Sequence, residues 1–78
     1  MRIHVRHFSI LREQRGRQQE DVEVEDGTTA EMLYLQLFPP GPDGALPVLY
    51  AIDAQYVDGD TALSDGCELV FVPALGGG

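Results

Sequence analysis

The sequence predicts an α+β fold, with one main helix packed across a mixed sheet and a glycine tail after the last strand. Three observations carry this. Short segments such as Arg2–Phe8 and Gln19–Glu25 alternate apolar and polar residues, the period of a half-buried strand. One helical stretch, starting at Thr28 or Thr29, is closed by Pro39-Pro40. A strand-like run, Leu69-Val70-Phe71-Val72-Pro73, leads into Leu75-Gly76-Gly77-Gly78.

The first strand places Ile3 and Val5 on one face and Arg2, His4 and Arg6 on the other, with Phe8 on the polar parity. Ser9 to Arg15 reads as a short helix, Ser9 as its candidate cap and Gly16 as its end. Gln19 to Glu25 alternates again with Val22 and Val24 inward, and Asp26-Gly27 turns the chain. The first two strands are expected to pair antiparallel. Thr28 and Glu31 have capping-box spacing. The helix then puts Ala30, Leu33, Tyr34 and Leu37 on one stripe, widened by Met32, Leu35 and Phe38. Residues 39–47 form the one sizeable loop and are expected to be mobile.

Val48 to Asp53 is apolar on both parities, which predicts a central strand covered on both faces. Asp53-Ala54 reverses the chain into Gln55-Tyr56-Val57, and Asp58-Gly59-Asp60 turns again. Leu63 plugs the core after a short turn. Cys67 to Val72 is the last strand, with Cys67, Leu69 and Phe71 facing inward. A first and last strand lying parallel in the sheet centre would close this arrangement as a β-grasp fold.

Composition bounds the function. The 78 residues make one domain, 1–78, with positions 74–78 as tail. No apolar run reaches the length of a membrane span, and the N-terminus lacks an apolar signal segment, so a cytoplasmic setting is expected. One cysteine and two histidines are poor material for a structural zinc site. The first seventeen residues hold all five arginines and one glutamate, a charge of +4; the rest holds twelve acids and no base, −12, for a net −8. Nucleic acid is a poor partner for that surface, and a basic protein partner fits better. There is no lysine, so no side chain can form a Schiff base or accept an isopeptide link. Cys67 lies on the core-facing parity, where small cysteines are often inert, its rival reading being a persulfide carrier or a link to a partner, and His7 is expected beside Phe8 at a surface that a partner would cover.

Glycine has no side chain to bury and loses the most backbone entropy on folding. Taken alone, the terminal glycines read either as a frayed terminus or as a narrow rod able to present one carboxylate to another protein's active site.

Several stretches resemble the MoaD family, the ubiquitin-like sulfur carriers that form the small subunit of molybdopterin synthase. They are Phe8-Ser9-Ile10-Leu11-Arg12-Glu13, Ala51 to Val57, Asp60-Thr61, Leu63 to Gly66, and the ending Glu68 to Gly78. Departures are Asp53 for the usual Asn, Cys67 for an acid, Ala74 for a second proline, Gly76 for a bulkier residue and His7 for an aromatic. The resemblance implies that Gly78 is the acyl group, adenylated and converted to a thiocarboxylate, with Gly77 beside it. The sulfur then goes to cyclic pyranopterin monophosphate. It implies partner contacts through Phe8, Tyr56, Val72, Leu75 and Gly76. The implied partners are the large synthase subunit (MoaE-like), an E1-like (MoeB-like) adenylating enzyme and a persulfide sulfur donor. The expected assembly with the large subunit is a heterotetramer. ATP and magnesium would serve the adenylating partner, and no cofactor would bind this chain alone. It would then be a sulfur-donating subunit without catalytic competence of its own. The alternatives are a protein modifier, or a carrier for tRNA thiolation or thiamine synthesis.

Overall fold

Cross-strand pairing turns the alternating segments into one five-stranded sheet. The computed structural model describes residues 1–74. Its elements in chain order are β1 (Arg2–His7), α1 (Ser9–Arg15), β2 (Gln19–Glu23), α2 (Ala30–Leu37), β3 (Val48–Ile52), β4 (Gln55–Val57) and β5 (Glu68–Pro73). The sheet order is β2-β1-β5-β3-β4. β1 pairs antiparallel with β2 and parallel with β5, while β3 pairs antiparallel with both β5 and β4. The first and last strands thus lie side by side in the sheet centre, as the element order suggests, and the fold is the β-grasp.

The core forms between the helices and one face of the sheet. Ile3 and Val5 from β1, Leu69 and Phe71 from β5, Leu11 from α1, and Ala30, Leu33 and Tyr34 from α2 are buried together. Phe71 is the hub of an aromatic cluster, with ring centroids 5.0 Å from Tyr34, 6.0 Å from Tyr50 and 6.1 Å from Phe38. Buried Tyr34 keeps its hydroxyl satisfied by donating to the Leu46 carbonyl at 2.6 Å.

Several expectations change. Ser9 does not cap α1: Phe8 is the extended N-cap residue, and its carbonyl accepts from Leu11 and Arg12. Phe8, just past β1, keeps extended backbone at φ −123 and ψ 153, and Ser9 absorbs the bend with φ 56. Gly16 closes α1 in the left-handed conformation at φ 70, which glycine adopts at little cost. On α2 the cap is Thr29, whose side chain accepts from the Met32 amide at 3.2 Å. Thr28 is buried and donates to the Glu25 carbonyl instead, so the Thr28–Glu31 capping box does not form. Met32 and Leu35 are exposed rather than part of the core stripe, because α2 presents Ala30, Leu33 and Tyr34 to the sheet.

The 39–47 loop carries a Gly41–Gly44 bridge of its own and meets α2 through the Tyr34 hydroxyl, which donates to the Leu46 carbonyl. β3 does lie between two strands, yet it is not covered on both faces: Leu49 points outward into solvent. No helix among the described residues is long and apolar enough to cross a membrane.

Candidate functional site

The side of the sheet away from α2 gathers the outward residues of β1, β5, β3 and β4. Core parity on β5 belongs to Leu69 and Phe71, so Val70 and Val72 face out. The β3–β5 register sets Leu49 opposite Val72 and Ala51 opposite Val70. Across the next pair, Ala51 faces Tyr56. Phe8, just past the end of β1, lines a groove of about 350 Å³ with Ser9, Val72 and Pro73. Leu49, Tyr56, Val57 and Asp58 line a second groove of similar size. Phe8, Leu49 and Tyr56 are 44%, 51% and 70% exposed. Grouped apolar exposure of this kind marks an interaction surface.

The structure therefore brings Phe8, Tyr56 and Val72 onto one face, and adds Leu49. Sequence reasoning missed Leu49 because an uninterrupted apolar run reads as burial on both sides. Its signal was the β3–β5 register, which pairs it with Val72. Leu75, Gly76, Gly77 and Gly78 lie outside the described residues. The chain reaches them from β5, where the Ala74 amide donates to the Pro47 carbonyl at 2.9 Å.

His7 is not at this face. It shares the parity of Ile3 and Val5 and is buried, its ring edge-on to Phe38 at 5.6 Å. Its Nε2 lies 2.6 Å from Oε2 of Glu20, which also takes Arg15 Nε at 2.8 Å, while Arg15 NH2 reaches Glu20 Oε1 at 2.6 Å. Ionised carboxylates only accept, so His7 Nε2 carries the shared hydrogen. The Arg15 guanidinium, helped by His7 and against the opposing effect of burial, holds the Glu20 carboxyl down at about 2. Glu20 is an acid on the inward parity of β2, and its side chain is only 7% exposed. The network fixes α1 to β1 and β2 just behind Phe8.

Cys67 is buried, as its parity suggests, and its sulfur faces the core. His4 is drawn upward from the usual imidazole value, chiefly by its hydrogen bond to Asp21 on the outer face. Among the described residues no group of three or more His, Cys, Asp and Glu side chains is placed to hold a metal ion.

The acids are unevenly placed. β2 and β3 end where β1 and β5 begin, so Glu23, Asp26 and Asp65 line a shallow cleft beside Met1 and Arg2, at the end of the sheet opposite the tail. Asp53 and Glu68 are close by, the Asp53 carboxylate accepting from the Glu68 amide at 2.9 Å. The end that leads to the tail is mixed: Arg15 and Arg17 lie against Glu20, Arg6 is exposed, and Asp58 lies beside Leu49 and Tyr56.

With this geometry in place, the family is decided by the match of one family model to residues 5–78. The chain belongs to the ThiS family. That match spans the outer face and runs through the glycine tail. ThiS-family chains are ubiquitin-like sulfur carriers and modifiers, and the fold agrees with solved structures. Small archaeal modifier protein 1 of Haloferax volcanii is 20% identical with a TM-score of 0.77, over 92% of this chain and 95% of that one. A Pyrococcus furiosus protein assigned as molybdopterin converting factor, subunit 1, is 21% identical with a TM-score of 0.76, over 94% and 97%. A complex of subunits 1 and 2 of molybdopterin-converting factor from Helicobacter pylori contains a chain 20% identical with a TM-score of 0.61, over the whole of both chains. These likenesses concern the fold. Among curated proteins none matches.

Proposed function

We propose that this ThiS-family chain is the sulfur-carrying small subunit of a molybdopterin synthase. The observation that carries this reading is the position of the outer apolar face. It is built on β5, the strand that continues into the glycine tail, so docking Phe8, Leu49, Tyr56 and Val72 aims the tail into the partner. The Helicobacter pylori complex of two converting-factor subunits supports a large-subunit partner by analogy of fold.

The chemistry belongs to the tail. A carboxylate is a poor electrophile. Attack of a Gly78 oxygen on the α-phosphorus of ATP, on a magnesium-dependent adenylating partner, expels pyrophosphate and gives an acyl-adenylate. The terminal sulfur of a donor persulfide then displaces AMP. A thiol attacks the donor's sulfur in the resulting S–S bond, forming a disulfide with the donor and releasing the tail as the thiocarboxylate. The large subunit passes that sulfur to cyclic pyranopterin monophosphate. Glycine at Gly76, Gly77 and Gly78 keeps the rod narrow and the acyl carbon uncrowded, and Leu75 anchors the rod at the channel mouth.

The test is loading followed by transfer. Incubation with an adenylating enzyme, ATP, magnesium and a persulfide donor should raise the intact mass by one sulfur-for-oxygen exchange. The loaded chain with the large subunit should then convert the pterin. Removing Gly78 should abolish loading while circular dichroism stays unchanged. An unloaded parent chain, under conditions that load a control carrier, would overturn the proposal.

A second reading is favoured by the likeness to small archaeal modifier protein 1. The same acyl-adenylate would be captured by target lysines. Covalent adducts of this chain in cell extract, with no pterin conversion by the loaded form, would select it.

A further inference from the structure

We propose that Arg6 is the charged specificity contact of the docking face, and that the partner protein presents an aspartate or glutamate there, beside an apolar pocket for Phe8. This rests on the docking role proposed for the outer face.

The outward row of β1 is Arg2, His4 and Arg6, and β2 answers it residue by residue. Arg2 faces Glu23, His4 faces Asp21, and Arg6 faces Gln19. The first two pairs are closed: Arg2 Nε meets Glu23 Oε1 at 3.0 Å and His4 Nδ1 meets Asp21 Oδ1 at 2.8 Å. The third is not. On its other side Arg6 faces Val70 of β5. The Gln19 side-chain oxygen is already taken by His4 Nε2 at 3.1 Å. Among the described residues, no carboxylate lies within ion-pair distance of Arg6.

The Arg6 guanidinium instead lies over the Phe8 ring, 5.7 Å from its centroid. Arg6 is exposed, and its neighbours Phe8 and Val72 border the groove nearest the tail. An exposed cation–π contact leaves the guanidinium N–H groups unmatched. Docking that covers Phe8 also strips water from Arg6, and an unpaired charge in such a place is strongly unfavourable. A partner that accepts this face must therefore supply an anion. The planar fork of arginine fits a carboxylate through two parallel hydrogen bonds. Nucleic-acid phosphate is a poor occupant because the chain from residue 18 onward carries twelve acids and no base. The rule is local: the chain is acidic overall, yet the contact nearest its tail selects an acidic spot.

The experiment is calorimetric titration of the full chain into the large synthase subunit at low and high salt. Phe8→Ala and Tyr56→Ala are measured in parallel. Arg6→Gln is expected to weaken binding about tenfold or more at low salt and to flatten the salt dependence. Arg6→Lys should keep the salt dependence and recover part of the affinity, since charge is retained without the fork. Arg6→Glu should weaken binding further and make it improve as salt rises. Thermal melts check each fold, and the outward position of Arg6 predicts melts close to the parent's. If Arg6→Gln and Arg6→Glu bind like the parent while Phe8→Ala and Tyr56→Ala lose affinity, this inference is overturned and the docking reading stands. If the two apolar variants also bind like the parent, the docking face itself is misplaced and both fall.

Discussion

Replacing Glu20 by glutamine removes one charge from the buried His7–Glu20–Arg15 network and turns one of its two acceptor oxygens into an NH2 donor. The shape is kept, and an amide oxygen can still accept one bond. The native carboxyl sits at about 2, against an ordinary 4.5. At about 1.4 kcal/mol per unit, and allowing for the part-exposed Arg15, that displacement corresponds to about 2–3 kcal/mol of folding stability at neutral pH. The sign follows from the direction. A carboxyl held low when folded releases its proton more readily there than in the unfolded chain. Its contribution is therefore complete above about pH 4.5 and is lost as pH falls towards 2.

Urea unfolding of parent and Glu20→Gln across pH 2–7 tests this. At pH 7 the variant should be less stable by about 2–3 kcal/mol, a fall in Tm of roughly 10–20 °C for a domain of this size. The two curves should converge as pH drops through the window between the two carboxyl values. Parallel profiles, with the same gap at pH 2.5 and at pH 7, would show that packing rather than charge supplies the network's contribution. The reasoning on Glu20 would then be wrong.

Leu49→Ala and Val72→Ala, with Phe8→Ala and Tyr56→Ala, should each weaken binding to the large subunit by roughly 1–4 kcal/mol in calorimetry, Tyr56 most, while circular dichroism shows intact folds. Gly59→Ala should destabilise by at most about 1 kcal/mol in urea unfolding, because its added carbon would sit 3.0 Å from Glu31 Oε2 and the Tyr50 ring and 3.1 Å from the Glu31 Cβ, side chains that have to give by only a few tenths of an ångström. Thr29→Ala should cost about 1 kcal/mol through the lost helix cap. Equal stability of Thr29→Ala and the parent in the same assay would return the cap to another residue.

The parts of the fold legible in the sequence are those where charge and apolarity alternate. Arg2 to His7 spells out its own strand, because each outward residue is polar and each inward one apolar up to Val5. β5 is legible for a different reason, its run of β-branched and aromatic residues, because Val70 and Val72 are apolar on the outward face while Leu69 and Phe71 are buried inward. The pattern failed where one residue type served the unexpected face. Glu20 sits inward on β2, and only its partners Arg15 and His7, from separate elements, make an acid tolerable there. His7 lies at i+2 from Val5, so its parity pointed inward, but a histidine beside Phe8 was read as surface. Adjacent threonines left the α2 start ambiguous by one residue. Thr29 won because Thr28 is used to bond the Glu25 carbonyl and to accept, through its own carbonyl, the Leu63 amide. Leu49 was hidden because periodicity cannot distinguish a strand covered twice from one that offers an apolar face to a partner.

That last ambiguity bears directly on function. β5 lies between β1 and β3 and is hydrogen-bonded on both edges. Its inward residues Leu69 and Phe71 anchor the core, its outward residues Val70 and Val72 belong to the apolar face, and its end leads to the tail. One row of the apolar face and the start of the tail therefore lie on the same strand, which stays hydrogen-bonded as far as the Ala74–Pro47 bond. The residues beyond Ala74 can span at most roughly 14 Å when extended. Under the proposed carrier role, a partner that grips Phe8 and Val72 must hold its reacting centre within that distance of Ala74. In that role an adenylating enzyme and a synthase subunit would share this constraint although their chemistry differs. One face can serve both because it sets where the tail begins, while each partner decides what happens to the Gly78 carbonyl.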